Sequence, residues 1–226
     1  MSKKEKEGTP VGCLRFYLSL VLLWVLGLLQ LSLLPSFWHE DSNFRLALFV
    51  FGAITGALLG SFIYRGSVAT LIHEYKHAIL SGLVGNKWKK LKVDGGSGAF
   101  QYSYSRETAV YNAFISLAPY FLPLFIIPAT LLGLVFYSHP YPLMVGIVGV
   151  GYGLDTYMNQ HDISPHQSDF FLIRGGYRVG LAFVLGINLV IFTTLISWVL
   201  ADLEGFILTW NGLFDYGLYL YSYFMN

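Results

Sequence analysis

An H-E-x-x-H motif, with His73, Glu74 and His77 as its defining residues, lies inside an otherwise apolar stretch of the chain. Residues four positions apart share one face of an α-helix, so the imidazoles of His73 and His77 can reach a single Zn²⁺ ion. Glu74, one position further round the helix, is placed to act on a water bound to the metal rather than on the metal itself. The motif therefore predicts a helix that carries a zinc site.

The composition places this helix in a membrane. The chain is 55% hydrophobic and only 12% charged, whereas an average soluble domain is about 25% charged. Two histidines, a glutamate and a lysine are costly in a lipid-spanning helix unless they serve a site, so zinc chemistry is favoured over a chance motif. The formal net charge of +1 gives no electrostatic basis for binding nucleic acid. The single cysteine excludes an internal disulfide.

The distribution of apolar runs predicts an α-helical polytopic membrane protein with about six to seven transmembrane helices. Three regions are expected. Residues 1–66 hold an N-terminal tail and two accessory transmembrane helices, residues 67–200 form the core, and residues 201–226 form an aromatic C-terminal helix. That last helix can either span the membrane or lie at its interface. Within the core, residues 106–136 are expected to form a long helical run interrupted by prolines.

A small β-hairpin is predicted directly after the motif helix, at residues 87–105. Phe100, Tyr102 and Tyr104 follow a glycine-rich turn and alternate with polar residues, which is typical of a strand. An exposed edge strand can pair with an extended peptide. Phe100 and Tyr102 are therefore candidates for contact with a substrate strand.

Two histidines do not hold a catalytic zinc, because a third protein ligand is needed beside the water. The motif is not followed by a third histidine or by a glutamate at the spacings of the thermolysin and metzincin patterns. The remaining downstream candidates all surround one polar segment and are Asp155, Asp162, Asp169, His161 and His166.

Four segments together resemble the site-2 protease family of intramembrane metalloproteases, and in particular its smaller bacterial branch. They are H-E-x-x-H-A in an apolar helix, V-D-G-G-S-G in the hairpin, S-L-A-P-Y-F-L-P in the next helix and Q-S-D-F entering a late helix. The resemblance extends over about residues 67–199. It implies a protein of the bacterial cytoplasmic membrane.

By this resemblance, His73, His77 and Asp169 bind Zn²⁺ and Glu74 is the catalytic base. Asp155 is the alternative third ligand, because Leu154-Asp155 is similar to part of the aspartate motif of the larger branch. If Asp155 is not a ligand, it can orient a zinc histidine through a hydrogen bond.

The expected function is zinc-dependent hydrolysis of peptide bonds in a membrane protein or peptide substrate, at or within the lipid bilayer. Such a reaction needs a donor for the oxyanion, and Asn159, His161 and His166 are candidates for that role or for supporting the ligands. The sequence carries no feature that specifies an oligomeric state.

The alternative is a zinc-binding membrane protein that serves as a regulator or assembly factor without proteolysis. Lys76 suggests it, because the family usually has a small residue directly before the second histidine. A long cation beside Zn²⁺ must turn away from the metal, or the site is altered.

Overall fold

The structure is a computed structural model that describes residues 14–94, 96–135, 141–171 and 173–225. It is predominantly helical, with one two-stranded sheet. In chain order the elements are α1 (Leu14–Leu33), α2 (Ser42–Ile63), α3 (Gly66–Leu83), β1 (Lys87–Asp94), β2 (Ser97–Ser103), α4 (Asn112–Leu117), α5 (Ile126–Val135), α6 (Tyr141–His161), α7 (Ser168–Phe171) and α8 (Gly176–Met225). The helical class and the inserted hairpin are thereby confirmed.

Three helical segments of the described chain are long and apolar enough to cross a membrane. They are Leu14–Phe37, Ser42–Ile63 and Gly176–Gly205, with mean hydropathies of 2.1, 2.2 and 2.4. At 1.5 Å per residue, each reaches the hydrocarbon thickness of about 30 Å. These three segments are fewer than the six to seven expected, and the larger number stays a prediction.

Helices α2 and α6 pack with their backbones nearly in contact. A Cβ atom added at Gly153 of α6 would lie 1.9 Å from the carbonyl oxygen of Ala53, and one added at Gly56 of α2 would lie 2.1 Å from that of Val150. Small residues permit this approach between helices in a membrane, where dispersion rather than hydrophobic burial drives association. The glycines of α6 therefore serve helix packing, and they bring the C-terminal ends of α2 and α6 together.

The run predicted over residues 106–136 is not one helix but a series of short pieces. Two turns of 3₁₀-helix, Thr108–Tyr111 and Ala118–Tyr120, flank α4, and α5 begins only at Ile126. Proline lacks a backbone N–H and disfavours a helical residue before it, so Pro119 and Pro123 break the run rather than merely bend it.

The predicted hairpin is confirmed. Strands β1 and β2 are antiparallel, with Leu91 opposite Phe100 and Val93 opposite Gly98. Phe100 and Tyr102 stack with ring centroids 5.5 Å apart. The hairpin packs against α3, which brings β2 next to the H-E-x-x-H motif.

The C-terminal helix predicted over 201–226 continues α8 to Met225, beyond a break at Ala201 and Asp202. Asp202 has a φ of 60°, a left-handed conformation that interrupts helical hydrogen bonding. The apolar helix that begins at Gly176 and the aromatic C-terminal segment are therefore two helices joined at this kink.

Replacement of Gly153 by alanine should destabilise the protein by about 1–3 kcal/mol, because the new methyl group must push α6 away from the backbone of α2. Thermal unfolding in detergent micelles measures the effect. Gly82→Ala is the matched control, because a Cβ there meets nothing within 4 Å. Equal melting temperatures for the two variants would contradict close packing of α2 on α6.

Candidate metal centre

Three ligand atoms from α3 and α7 converge at one point. Nε2 of His73 lies 3.2 Å from Oδ2 of Asp169, and Nε2 of His77 lies 3.6 Å from the same oxygen. The three residues each place a ligand atom within 4.8 Å of the others. Tetrahedral ligands about 2.0–2.1 Å from Zn²⁺ lie about 3.3 Å apart. The spacing of these donors therefore fits a zinc ion.

The other ring nitrogen of each histidine is already occupied. Nδ1 of His77 donates to the carbonyl oxygen of Ile115 at 2.6 Å, and Nδ1 of His73 donates to Oδ2 of Asp162 at 2.8 Å. A carbonyl oxygen only accepts, so the Nδ1 atom of His77 carries the hydrogen. With Nδ1 occupied, the Nε2 atom that faces Asp169 is the one left in each ring to bind a metal, which is the arrangement of zinc-binding histidines oriented by outer partners.

The carboxylate of Asp169 is held from two sides. It lies in the first turn of α7, and the buried hydroxyl of Tyr120 donates to its Oδ2 at 2.9 Å. The Tyr120 ring also meets the His73 ring edge-on, with centroids 5.7 Å apart. Burial alone would raise the pKa of Asp169, but hydrogen bonds with His73 and His77 outweigh it and hold that pKa below the ordinary value. The side chain is therefore an anion, as a metal ligand must be.

Tyr120 was not recognised as a site residue from the sequence, although it lies in the S-L-A-P-Y-F-L-P segment. The sequence feature that could have identified it is an aromatic hydroxyl between two prolines in an apolar run.

Asp162, which the sequence left as one of several possible ligands, instead supports His73 from outside the ligand group. The pKa of Asp162 is raised by burial but lowered more by hydrogen bonds from His73 and Tyr64, so that it lies below its ordinary value.

Glu74 lies beside this group and under the hairpin. The backbone of Phe100 faces its carboxylate, and a Cβ atom added at Gly98 would lie 2.6 Å from its Cγ. Only glycine at position 98 lets β2 approach the base so closely.

Two cavities meet at Glu74. One of about 480 Å³ has a lining that includes His73, Glu74, Gly98, Asp162 and Asp169. The other, of about 250 Å³, has a lining that includes Glu74, His77, Phe100, Tyr102 and Asp169. The predicted strand residues Phe100 and Tyr102 therefore border the same site as the predicted base and ligands.

Lys76 is 1% exposed and is directed toward α6. Its Nζ donates to Oδ1 of Asn159 at 2.6 Å and lies 3.7 Å from Oδ1 of Asp155. The cation that precedes the second histidine is thus paired with two groups outside the three-ligand cluster.

Asp155, the alternative third ligand, binds backbone N–H groups in this structure. Its carboxylate accepts the N–H groups of Leu124, Phe125 and Ile126 at 2.7–2.9 Å. These donors precede and begin α5, where no intrahelical partner exists for them. Among the described residues, the group that could hold a metal contains Asp169 and not Asp155.

The three candidates for oxyanion or supporting roles differ in their surroundings. Asn159 is buried and bound to Lys76. His161 is exposed, with Nδ1 3.4 Å from Oδ1 of Asp162. His166 is exposed on the segment before α7, and its backbone N–H bonds to Ser164.

Asp169→Asn should lose zinc, whereas Asp155→Asn should keep it. Removal of a ligand should cost more than the roughly 10–100-fold in affinity that follows loss of an outer partner. Zinc content after dialysis against a chelator measures the difference. Zinc retained without Asp169 but lost without Asp155 would reverse the assignment.

Lys76→Met should destabilise the protein by up to about 3–5 kcal/mol, because Asp155 loses its buried counter-ion. The folded fraction should still bind zinc, since Lys76 contacts none of the three ligands. Thermal unfolding in detergent and zinc content are measured on the same samples, with exposed Lys89→Met as control. A variant as stable as Lys89→Met would show that the ion pair contributes nothing to stability.

Comparisons of the chain with protein families, with curated proteins and with solved structures give no match. The resemblance to the site-2 protease family therefore stays an interpretation of the motifs.

Proposed function

We propose that the protein is an intramembrane zinc metallopeptidase that hydrolyses peptide bonds of membrane-associated substrates. The observation that carries this proposal is the convergence of His73, His77 and Asp169 on one point, with Glu74 adjacent on α3. A structural zinc site has four protein ligands, whereas three ligands leave a position for water or substrate.

The residues have separate roles in this proposal. His73, His77 and Asp169 hold the metal, which when bound supplies Lewis acidity that polarises a carbonyl and acidifies a water. Glu74 is the general base: its carboxylate takes the proton of the attacking water and passes it to the leaving amine. The backbone of β2 at Gly98 and Phe100 lies against this carboxylate at the cavity.

The hairpin supplies a surface for an extended peptide. In the described chain β2 pairs with β1 alone, and its backbone at Gly98 and Phe100 lies against Glu74. A substrate strand added beside β2 would run past the base, as in β-augmentation. Peptide bonds in a helix are hydrogen-bonded and shielded, so the substrate segment must unwind. We expect substrates with helix-weakening residues near the cleaved bond.

The alternative, a non-proteolytic zinc-binding regulator, is suggested by the position of Lys76 directly before the second histidine. Because the ammonium of Lys76 is held by Asn159 and Asp155, it leaves the three ligands and Glu74 undisturbed. Lys76 therefore does not count against hydrolysis.

Glu74→Gln should lower hydrolysis of a membrane peptide by about 10²–10⁴-fold, because the amide cannot accept the proton. Zinc content should stay unchanged, since Glu74 is not a ligand. The assay uses the full chain in proteoliposomes with a transmembrane peptide that contains a glycine-rich segment. The exposed Glu107→Gln is the matched control.

Cleavage by Glu74→Gln equal to that by the unaltered protein would refute the peptidase proposal. Zinc bound by the unaltered protein without cleavage of any such peptide would favour the regulator.

A further inference from the structure

Tyr64 connects the end of α2 to the metal centre. It follows the last residue of that helix, its side chain is almost fully buried, and its backbone N–H bonds to the carbonyl of Gly60 at 2.8 Å. Its phenolic hydroxyl donates a hydrogen bond to Oδ2 of Asp162. The edge of its ring meets His161, with centroids 5.5 Å apart.

The same oxygen of Asp162 accepts the hydrogen bond from Nδ1 of His73 at 2.8 Å. Asp162 is the first residue after α6, so a chain of two hydrogen bonds joins α2, the end of α6 and α3. At its far end, Nε2 of His73 faces Asp169. The position of the Tyr64 hydroxyl thereby determines where the carboxylate that orients His73 can lie.

We propose that Tyr64 is a positioning residue of the metal centre, which fixes Asp162 and through it the ring of His73. This inference depends on the zinc-binding part of the proposed function and not on hydrolysis. It also makes α2, which the sequence assigned to an accessory N-terminal region, a contributor to the zinc site.

The packing of α2 on α6 fixes the position of the Tyr64 hydroxyl relative to Asp162. A phenol has only two side-chain torsions, so its hydroxyl can meet Asp162 only if the two helix ends are held at one separation. Gly60, four residues before Tyr64, lies against the ring of Tyr157 on α6, where an added Cβ would be 3.0 Å from Cδ1. Backbone contact at Gly56 continues the interface toward the middle of the helices.

The carboxylate of Asp162 needs the Tyr64 hydroxyl as a second hydrogen-bond donor because it is largely buried. An exposed carboxylate satisfies its lone pairs with water, whereas a buried one requires protein donors. Tyr64 and His73 share Oδ2 of Asp162, and the exposed His161 adds only a longer contact of 3.4 Å with Oδ1. Removal of the phenol hydroxyl therefore gives the carboxylate more rotational freedom. A mobile acceptor orients the imidazole less well, and loss of such outer partners weakens metal binding.

Tyr64→Phe tests the proposal, because it keeps the ring and deletes only the hydroxyl. The zinc dissociation constant of the full chain in detergent is measured by competition with a chromophoric chelator. We expect an increase of about 10–100-fold. Tyr152→Phe on α6 is the matched control: the ring of Tyr152 packs against Phe49 and Phe192, and its variant should bind zinc as the unaltered protein does.

A second comparison separates positioning from general loss of stability. In a chain that already carries Asp162→Ala, addition of Tyr64→Phe should weaken zinc binding no further, because the residue through which Tyr64 acts is gone. Unchanged affinity in Tyr64→Phe, or an equal loss with and without Asp162, would overturn the inference. Zinc binding without peptide cleavage by the unaltered protein would favour the regulator over the proposed peptidase and leave this inference standing. Absence of zinc binding would overturn both.

Discussion

Two imidazole Nε2 atoms and a carboxylate oxygen converge on one place in this fold, and the surrounding polar contacts of Asp162, Ile115 and Tyr120 act on the same three side chains. The three donors lie within 4.8 Å of one another in a chain that is 55% hydrophobic. Three such acceptor groups repel one another unless a proton or a metal cation lies between them. The Nδ1 atoms of the two histidines are fixed from outside by Asp162 and by the carbonyl of Ile115. Tyr120 donates to the same oxygen of Asp169 that faces the histidines.

A second set of buried polar groups is kept apart from the metal centre. Burial of an unpaired ammonium or carboxylate costs several kcal/mol, so both charges must find partners. Lys76 and Asp155 pair with each other, and Asp155 also receives three backbone N–H groups at the start of α5. The proline-induced break before α5 is therefore tied to α3 by the same carboxylate that neutralises Lys76. A lysine directly before a candidate metal-binding histidine is compatible with the site because of this arrangement.

The parts of the site that could be predicted are those set by short-range periodicity. The spacing of His73 and His77 fixed their common helical face, and the alternation through Phe100 and Tyr102 identified the strand beside Glu74. Asp169 is separated from His73 by 96 residues, so spacing alone left it among several candidates and only a motif resemblance favoured it. Tyr64 and Tyr120 could not be found in this way. Their hydroxyls matter through partners that lie far away in sequence, and tyrosine is common in the chain, with 16 occurrences.

The sequence by itself determined an apolar, helical chain with a two-histidine helix face, a hairpin after it and glycines suited to close helix packing. These properties depend on composition and on repeats of two to four residues, which the backbone geometry of strands and helices converts directly into faces. The tertiary structure decided which aspartate meets the histidines, which one caps α5, where Lys76 is directed and that α2 reaches the site through Tyr64. Those outcomes depend on the separation and direction of whole helices. Both are set by the contact of α2 with α6 and by the breaks at Pro119 and Pro123.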